Sequence, residues 1–92
     1  MIKIGPVTYS VDDQIGDELD GEIAYTKQQI HVRALMGADY ANVVLWHEVL
    51  HGLFTHSGLA HLFTSEQAEA LMDCFSYGIV QVLQDNPNMR EP

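Results

Sequence analysis

The segment His47-Glu48-Val49-Leu50-His51 lies inside an apolar stretch with the period of an α-helix, and this combination constrains the fold more than any other feature. Residues four positions apart lie on one face of a helix, so both imidazoles can point at the same ion. Apolar residues flank the motif on both sides, as expected for a helix that packs one face into a protein core. The sequence therefore predicts a helix that carries two metal ligands.

A motif of this kind is typical of zinc hydrolases. In such sites the two histidines bind the metal, and the carboxylate between them takes a proton from a metal-bound water without binding the metal itself. We therefore predict His47 and His51 as ligands of one Zn²⁺ per chain, and Glu48 as the catalytic general base. The alternative is a helix whose two histidines only cap a polar stripe.

The third metal ligand must come from another part of the chain, since catalytic zinc sites usually have three protein ligands and one water. The extended form of the motif, which supplies a third His, is absent because Phe54 and Ser57 occupy its Gly and His positions. The next predicted helix carries three acids on one face: Glu66, Glu69 and Asp73. Glu69 and Asp73 are four residues apart, so one can bind the metal while the other orients a His.

The size and charge of the chain limit its organisation and its partners. It has 92 residues and a net charge of −9 with only four Lys and Arg residues. We expect one domain over residues 1–92, and neither nucleic acid nor an anionic membrane as a partner. The N-terminus lacks the apolar core of a signal peptide, no apolar run approaches a membrane span, and a cytoplasmic location is expected.

The remaining composition has two consequences. The single cysteine, Cys74, means that no internal disulfide is expected. Acidic residues cluster early in the chain, and we expect them to form a solvated loop: Asp12, Asp13, Asp17, Glu18, Asp20 and Glu22.

The periodicity of apolar residues predicts an α+β fold. Alternating patterns favour short strands at 2–4, 7–11, 22–26 and 29–34. A first helix is expected over 40–55, capped by Asp39 and closed by Ser57-Gly58, and a second from Thr64 or Ser65 to about Gln84. The architecture is then a small antiparallel sheet of about three strands followed by two packed helices, a minimal zincin-like core.

Each helix is expected to bury one apolar stripe. In the first helix the stripe comprises Val43, Trp46, Val49, Leu50 and Leu53. In the second helix it comprises Ala68, Leu71, Met72, Phe75, Ile79, Val82 and Leu83.

Three parts of the chain carry a resemblance to a known family: Gly21-Glu22-Ile23 with Gln29-Ile30-His31-Val32, Leu45-Trp46-His47-Glu48-Val49-Leu50-His51-Gly52, and the tail from Met72 to Pro87. They resemble small phage-type zinc metallopeptidases related to the ImmA/IrrE group, with a gluzincin-like ligand set. The resemblance implies His47 and His51 as ligands, Glu48 as general base, and Asp73 as the acid of the second helix. Since the family more often has Glu at that position, Glu69 remains the alternative ligand.

Together, the motif and the resemblance predict a zinc-dependent metallopeptidase that acts on a peptide or protein substrate, for which an ImmA-like role would be cleavage of a repressor. The alternative is a catalytically silent metal-binding module of phage origin that regulates or binds another protein. A structural zinc site closed by a fourth ligand such as His56, or a metal-free accessory protein, would be further alternatives. Exposed sheet edges in so small a domain would also allow a homodimer.

Several other residues are expected to have minor roles. His31 is expected at the surface or at the edge of a cleft, and Trp46 in the core under the sheet. The strand at 29–34 is expected to border the cleft and to bind an extended peptide by strand addition. Four residues are candidates for stabilising an oxyanion: Tyr40, His56, His61 and Tyr77.

Overall fold

Four short strands precede two long helices in the computed structural model, which describes residues 1–16 and 18–90. The strands are β1 (Ile2–Ile4), β2 (Val7–Asp12), β3 (Gly21–Ala24) and β4 (Gln29–Val32). The helices are α1 (Ala38–His56) and α2 (Ser65–Asp85), followed respectively by short 3-10 turns at Ala60–Leu62 and Pro87–Arg90. The predicted α+β class, with a sheet and two packed helices, is confirmed. Asp17, expected in the acidic loop, lies outside the described residues.

The sheet is mixed, with the strand order β1-β2-β4-β3. β1 and β2 form an antiparallel hairpin, because Gly5 adopts a φ of 57° and turns the chain between the two expected strand segments. β3 and β4 form a second antiparallel hairpin, and β4 pairs in parallel with β2. The sheet therefore has four strands and one parallel pair, where about three antiparallel strands had been expected.

This order corrects the expected position of the peptide-binding strand. β4 is hydrogen-bonded to β2 on one side and to β3 on the other, so its backbone has no free edge for an added strand. The loop after β2 carries the chain to the outer position of β3, and β4 then fills the space between them. Of the described strands, β1 and β3 form the two edges of the sheet.

The helix ends follow the expected local chemistry except at the start of α1. Thr64 and Gln67 form a reciprocal capping box at the start of α2, with N···O distances of 3.1 and 2.9 Å. The end of α1 at Ser57, followed by Gly58 with a φ of 80°, also agrees with the prediction. Asp39 is not the cap of α1, since Gly37 holds that position. The Asp39 carboxylate instead accepts a hydrogen bond of 2.9 Å from Gln84 of α2.

α1 packs on the sheet, and the centre of the core comprises Ile4, Tyr9, Ile30 and Val49. The helix lies close to the strands because Gly52 has no side chain. A Cβ atom there would lie 2.7 Å from Cδ1 of Ile4 and 3.1 Å from Cδ1 of Ile23. Trp46 is partly buried against this core, in agreement with the prediction.

α2 packs against α1 rather than on the sheet, and this position explains the main errors in the predicted core. A helix with one neighbour buries only a narrow stripe, and in α2 the buried residues are Met72, Ser76 and Val80. Phe75 and Val82 are exposed, as is Leu53 on α1. No helix among the described residues is both long enough and apolar enough to cross a lipid bilayer.

Candidate metal centre

Three side chains from the two helices place metal-ligating atoms next to one another. His47 and His51 lie one turn apart on α1, and their Nε2 atoms are 3.1 Å apart. Glu69 of α2 reaches both rings, with Oε2 at 3.0 Å from Nε2 of His47 and Oε1 at 2.8 Å from Nε2 of His51. Among the described residues, His47, His51 and Glu69 form the group that is able to hold a metal ion.

The donor set and its spacing fit zinc. Ligand atoms around a tetrahedral zinc ion lie about 2.0–2.1 Å from the ion and hence about 3.3 Å from one another. The separations of 2.8–3.1 Å in this group are slightly shorter. The Glu69 side chain is about half exposed, so a small rotation of its carboxylate is enough to widen its two distances to the histidines. The 3.1 Å between the two Nε2 atoms is already close to the value for zinc. Two imidazoles and one carboxylate also leave a fourth position open, as catalytic zinc sites do.

Asp73, the preferred third ligand from the sequence, has a different position. Its Oδ1 atom lies 3.0 Å from Nδ1 of His47, on the nitrogen that does not face the group. Asp73 and Glu69 therefore lie on opposite sides of the His47 ring. The cause is the antiparallel packing of the helices, which places Glu69 beside both histidines and Asp73 beyond the first of them. Glu66, the third candidate acid, is not part of the group.

Glu48 is buried beside this group, with 8% of its surface exposed. Burial raises the pKa of its carboxyl to about 7, since the charged form loses its hydration. The charge of His47 acts in the opposite direction, whereas Glu69 and Glu22 raise the pKa further. A carboxyl group with this pKa exchanges its proton readily near neutral pH.

A cavity of about 220 Å³ opens beside Glu48. Its lining comprises Asp20, Gly21, Tyr40, Val43, Val44, His47, Glu48, Asp73 and Tyr77. Gly21 allows the start of β3 to approach the helix: a Cβ atom there would lie 2.5 Å from Cγ1 of Val44 and 3.3 Å from Cγ of Glu48. Neither Asp20 nor Gly21 was expected at the site from the sequence, and both line the cavity. A glycine at the start of a strand was the available signal, because it often marks a close backbone approach.

His31 is buried, which corrects its expected position at the surface. It lies on β4, between β2 and β3, and only 7% of its surface is exposed. Its Nδ1 atom is hydrogen-bonded to Asp12, and its Nε2 atom lies 3.8 Å from a carboxylate oxygen of Glu22. The hydrogen bond from His31, followed by that from the Gln14 backbone, lowers the pKa of Asp12. Asp12 and Glu22 therefore contact a buried imidazole, whereas both had been expected in a solvated loop.

The remaining candidates fall into two sets. Tyr40 and Tyr77 line the cavity, and the Tyr40 hydroxyl donates a hydrogen bond of 2.7 Å to Asp20. His56 lies at the end of α1, where its Nε2 atom is 2.5 Å from the hydroxyl of Tyr9. His56 and His61 are both outside the ligand group, so the structure does not bring either of them to it as a fourth ligand.

Comparison of the chain with models of known protein families, with curated proteins and with solved structures gives no match. The function of the chain is therefore inferred from the chemistry of the site.

Proposed function

We propose that the chain is a zinc-dependent metallopeptidase in which Glu48 is the general base. The observation that supports this most is the position of the buried Glu48 carboxyl. It lies next to the group of His47, His51 and Glu69 and lines the adjoining cavity. A general base for hydrolysis must lie within reach of the attacking water while remaining free of the metal.

The side chains around the ion have separate roles in this proposal. His47 and His51 would bind through their Nε2 atoms and Glu69 through its carboxylate. Asp73 places Oδ1 at 3.0 Å from Nδ1 of His47, where it would favour a proton on Nδ1 and leave the lone pair of that ring on Nε2. A carboxylate in this position fixes the tautomer and the orientation of a ligating histidine.

The reaction would be the hydrolysis of a peptide bond. Bound zinc supplies polarisation of the scissile carbonyl and lowers the pKa of a bound water towards about 7. Glu48 accepts the proton of the attacking water and delivers it to the leaving amine. The peptide would lie along the free edge of β3, since Gly21 of this strand approaches Glu48.

A catalytically silent metal-binding module is the second candidate. The observation in its favour is the small cavity of about 220 Å³, which is below the range of about 300–1,000 Å³ for most ligand sites. In that case the same residues would bind zinc, and the partner would be a protein that is bound without being cleaved.

Elemental analysis and a peptidase assay test both candidates. Untagged wild-type protein is expected to hold about one zinc per chain, and His47→Ala is expected to lose it. Zinc-loaded Glu48→Gln is expected to keep the metal and to lose hydrolysis of peptide substrates. Full activity in Glu48→Gln would contradict the proposed mechanism, and stoichiometric zinc without hydrolysis in the wild type would favour the silent module.

A further inference from the structure

The cavity beside Glu48 has an acidic character that is not explained by metal binding. The described residues that line it include Asp20, Glu48 and Asp73 but neither Lys nor Arg. Asp20 is already paired, with Oδ1 at 2.5 Å from Arg33 and Oδ2 at 2.7 Å from the Tyr40 hydroxyl. The charge of Asp20 is therefore compensated within the protein.

Asp73 is different, because only one of its carboxylate oxygens has a partner. Oδ1 contacts Nδ1 of His47, the side chain is 65% exposed, and the described residues show no hydrogen bond to the other oxygen. Asp73 therefore keeps one carboxylate oxygen available to a cationic group that enters the cavity.

Two aromatic rings accompany this carboxylate. Tyr77 follows Asp73 by four residues on α2, so both lie on the same face of that helix. Tyr40 lies on α1, and both tyrosines line the cavity. Aromatic faces and a carboxylate both attract a cationic group, and their effects are largest where water is partly excluded.

We propose that this cavity selects a Lys or Arg side chain of the bound peptide. The inference depends on the proposed function, since it names the class of substrate for that site. The apolar residues Val43 and Val44 would cover the methylene groups of such a side chain, and Asp73 with the tyrosines would receive its charged end. The volume of about 220 Å³ suits one side chain better than a whole small molecule.

The net charge of the whole chain also favours a basic peptide. With a net charge of −9 and four basic residues, the protein attracts basic polypeptides at long range and repels acidic ones. A neutral aliphatic side chain would fit the volume, but it would cover the free oxygen of Asp73 without offering a hydrogen bond. Covering a charged group in this way is unfavourable.

Binding to an inactive variant tests the inference without turnover. Zinc-loaded Glu48→Gln is titrated with matched short peptides in which one position is Lys, norleucine or Glu, and that position is moved along the peptide. At one position, the Lys peptide is expected to bind about tenfold more tightly than the norleucine peptide, and the Glu peptide more weakly than both. The preference for Lys is expected to decrease as the salt concentration rises.

Variants in the same background locate the preference. Asp73→Asn, checked for zinc content, is expected to bring the Lys-to-norleucine affinity ratio close to one, and Tyr77→Ala to reduce it by several-fold. Tyr77→Phe, which keeps the aromatic face, is expected to retain the ratio. Phe75→Ala is the matched control, since Phe75 is exposed on α2 and does not line this cavity.

The results distinguish this inference from the proposed function. Equal affinities for Lys and norleucine, or no binding of any peptide, would overturn the inference. If the wild-type enzyme hydrolysed both peptides equally well, the inference would fail while the proposed function stood. If Glu48→Gln preferred the Lys peptide but the wild type hydrolysed none, the inference would stand and the peptidase proposal would fail.

Discussion

The Asp73 carboxylate lies 3.0 Å from Nδ1 of His47, so the two nitrogens of this ring have different acidic partners. Glu69 lies 3.0 Å from the other nitrogen, Nε2. The imidazole of His47 thus lies between Glu69, which adjoins the proposed metal position, and Asp73, which is able to orient the ring. The two acids should have different effects on metal binding when each is replaced.

We expect Glu69→Gln to weaken zinc binding more than Asp73→Asn does. Loss of an orienting acid typically lowers metal affinity about 10- to 100-fold, and loss of a ligand should exceed that. Zinc affinity is measured by competition with a chromophoric chelator. Glu66→Gln is the control, since Glu66 precedes Glu69 on the same helix and is outside the group. A larger loss in Asp73→Asn would assign the third ligand to Asp73.

A second prediction concerns the close approach of β3 to α1. In Gly21→Ala the new Cβ atom would lie 2.5 Å from Cγ1 of Val44 and 3.3 Å from Cγ of Glu48. We expect a loss of about 1–3 kcal/mol in the free energy of unfolding, because strand and helix must move apart. Urea unfolding of the metal-free protein measures this loss.

Gly78→Ala is the matched control for Gly21→Ala. Gly78 lies within α2, and apart from its chain neighbours and the backbone of its own helix, no described atom lies within 4 Å of the position that its Cβ would take. Since alanine favours helix over glycine, this variant should be more stable by up to about 1 kcal/mol. Equal effects of the two substitutions would show that the contact with Val44 is not restrictive.

A third prediction concerns the buried imidazole of β4. The hydrogen bond from His31 lowers the pKa of Asp12, so this contact stabilises the folded state above the usual pKa of 3.8. The stabilisation should be lost as the pH falls through the lower pKa of the folded state. The free energies of unfolding of wild type and Asp12→Asn should therefore differ near neutral pH and converge in acid. Asp13→Asn, which removes the neighbouring exposed acid and leaves the contact with His31, is the control.

Local sequence signals were sufficient for the helices and for two of the three residues of the proposed ligand group. The capping box of Thr64 and Gln67, and the end of α1 at Ser57, depend on hydrogen bonds between near neighbours. The spacing of His47 and His51 depends only on helix geometry. Such features are visible in a sequence because each of them involves residues within one turn.

The identity of the third metal ligand and the order of the strands could not be predicted in the same way. The choice between Glu69 and Asp73 depends on how far α2 slides along α1 and on which of its faces packs there. The apolar pattern placed Phe75 in the core, whereas it is exposed. The parallel pairing of β2 with β4 joins distant segments, and the alternating pattern of each strand fits either orientation. Tertiary packing decides both features.

The last prediction concerns the stability of the metal-free protein and the buried Glu48. Burial raises its pKa from 4.5 to about 7, so the unfolded chain releases this proton at a lower pH than the folded protein does. The contribution of Glu48 to stability is therefore full below about pH 4.5 and falls as the pH rises to about 7. Over this pH range the free energy of unfolding falls by up to about 3 kcal/mol because of Glu48. Glu48→Gln cannot ionise, so with chelator present it should be more stable than wild type at pH 8, with this advantage absent near pH 4.5. Urea unfolding of both proteins across this pH range measures the difference, and a constant difference would show that Glu48 ionises normally in the folded state.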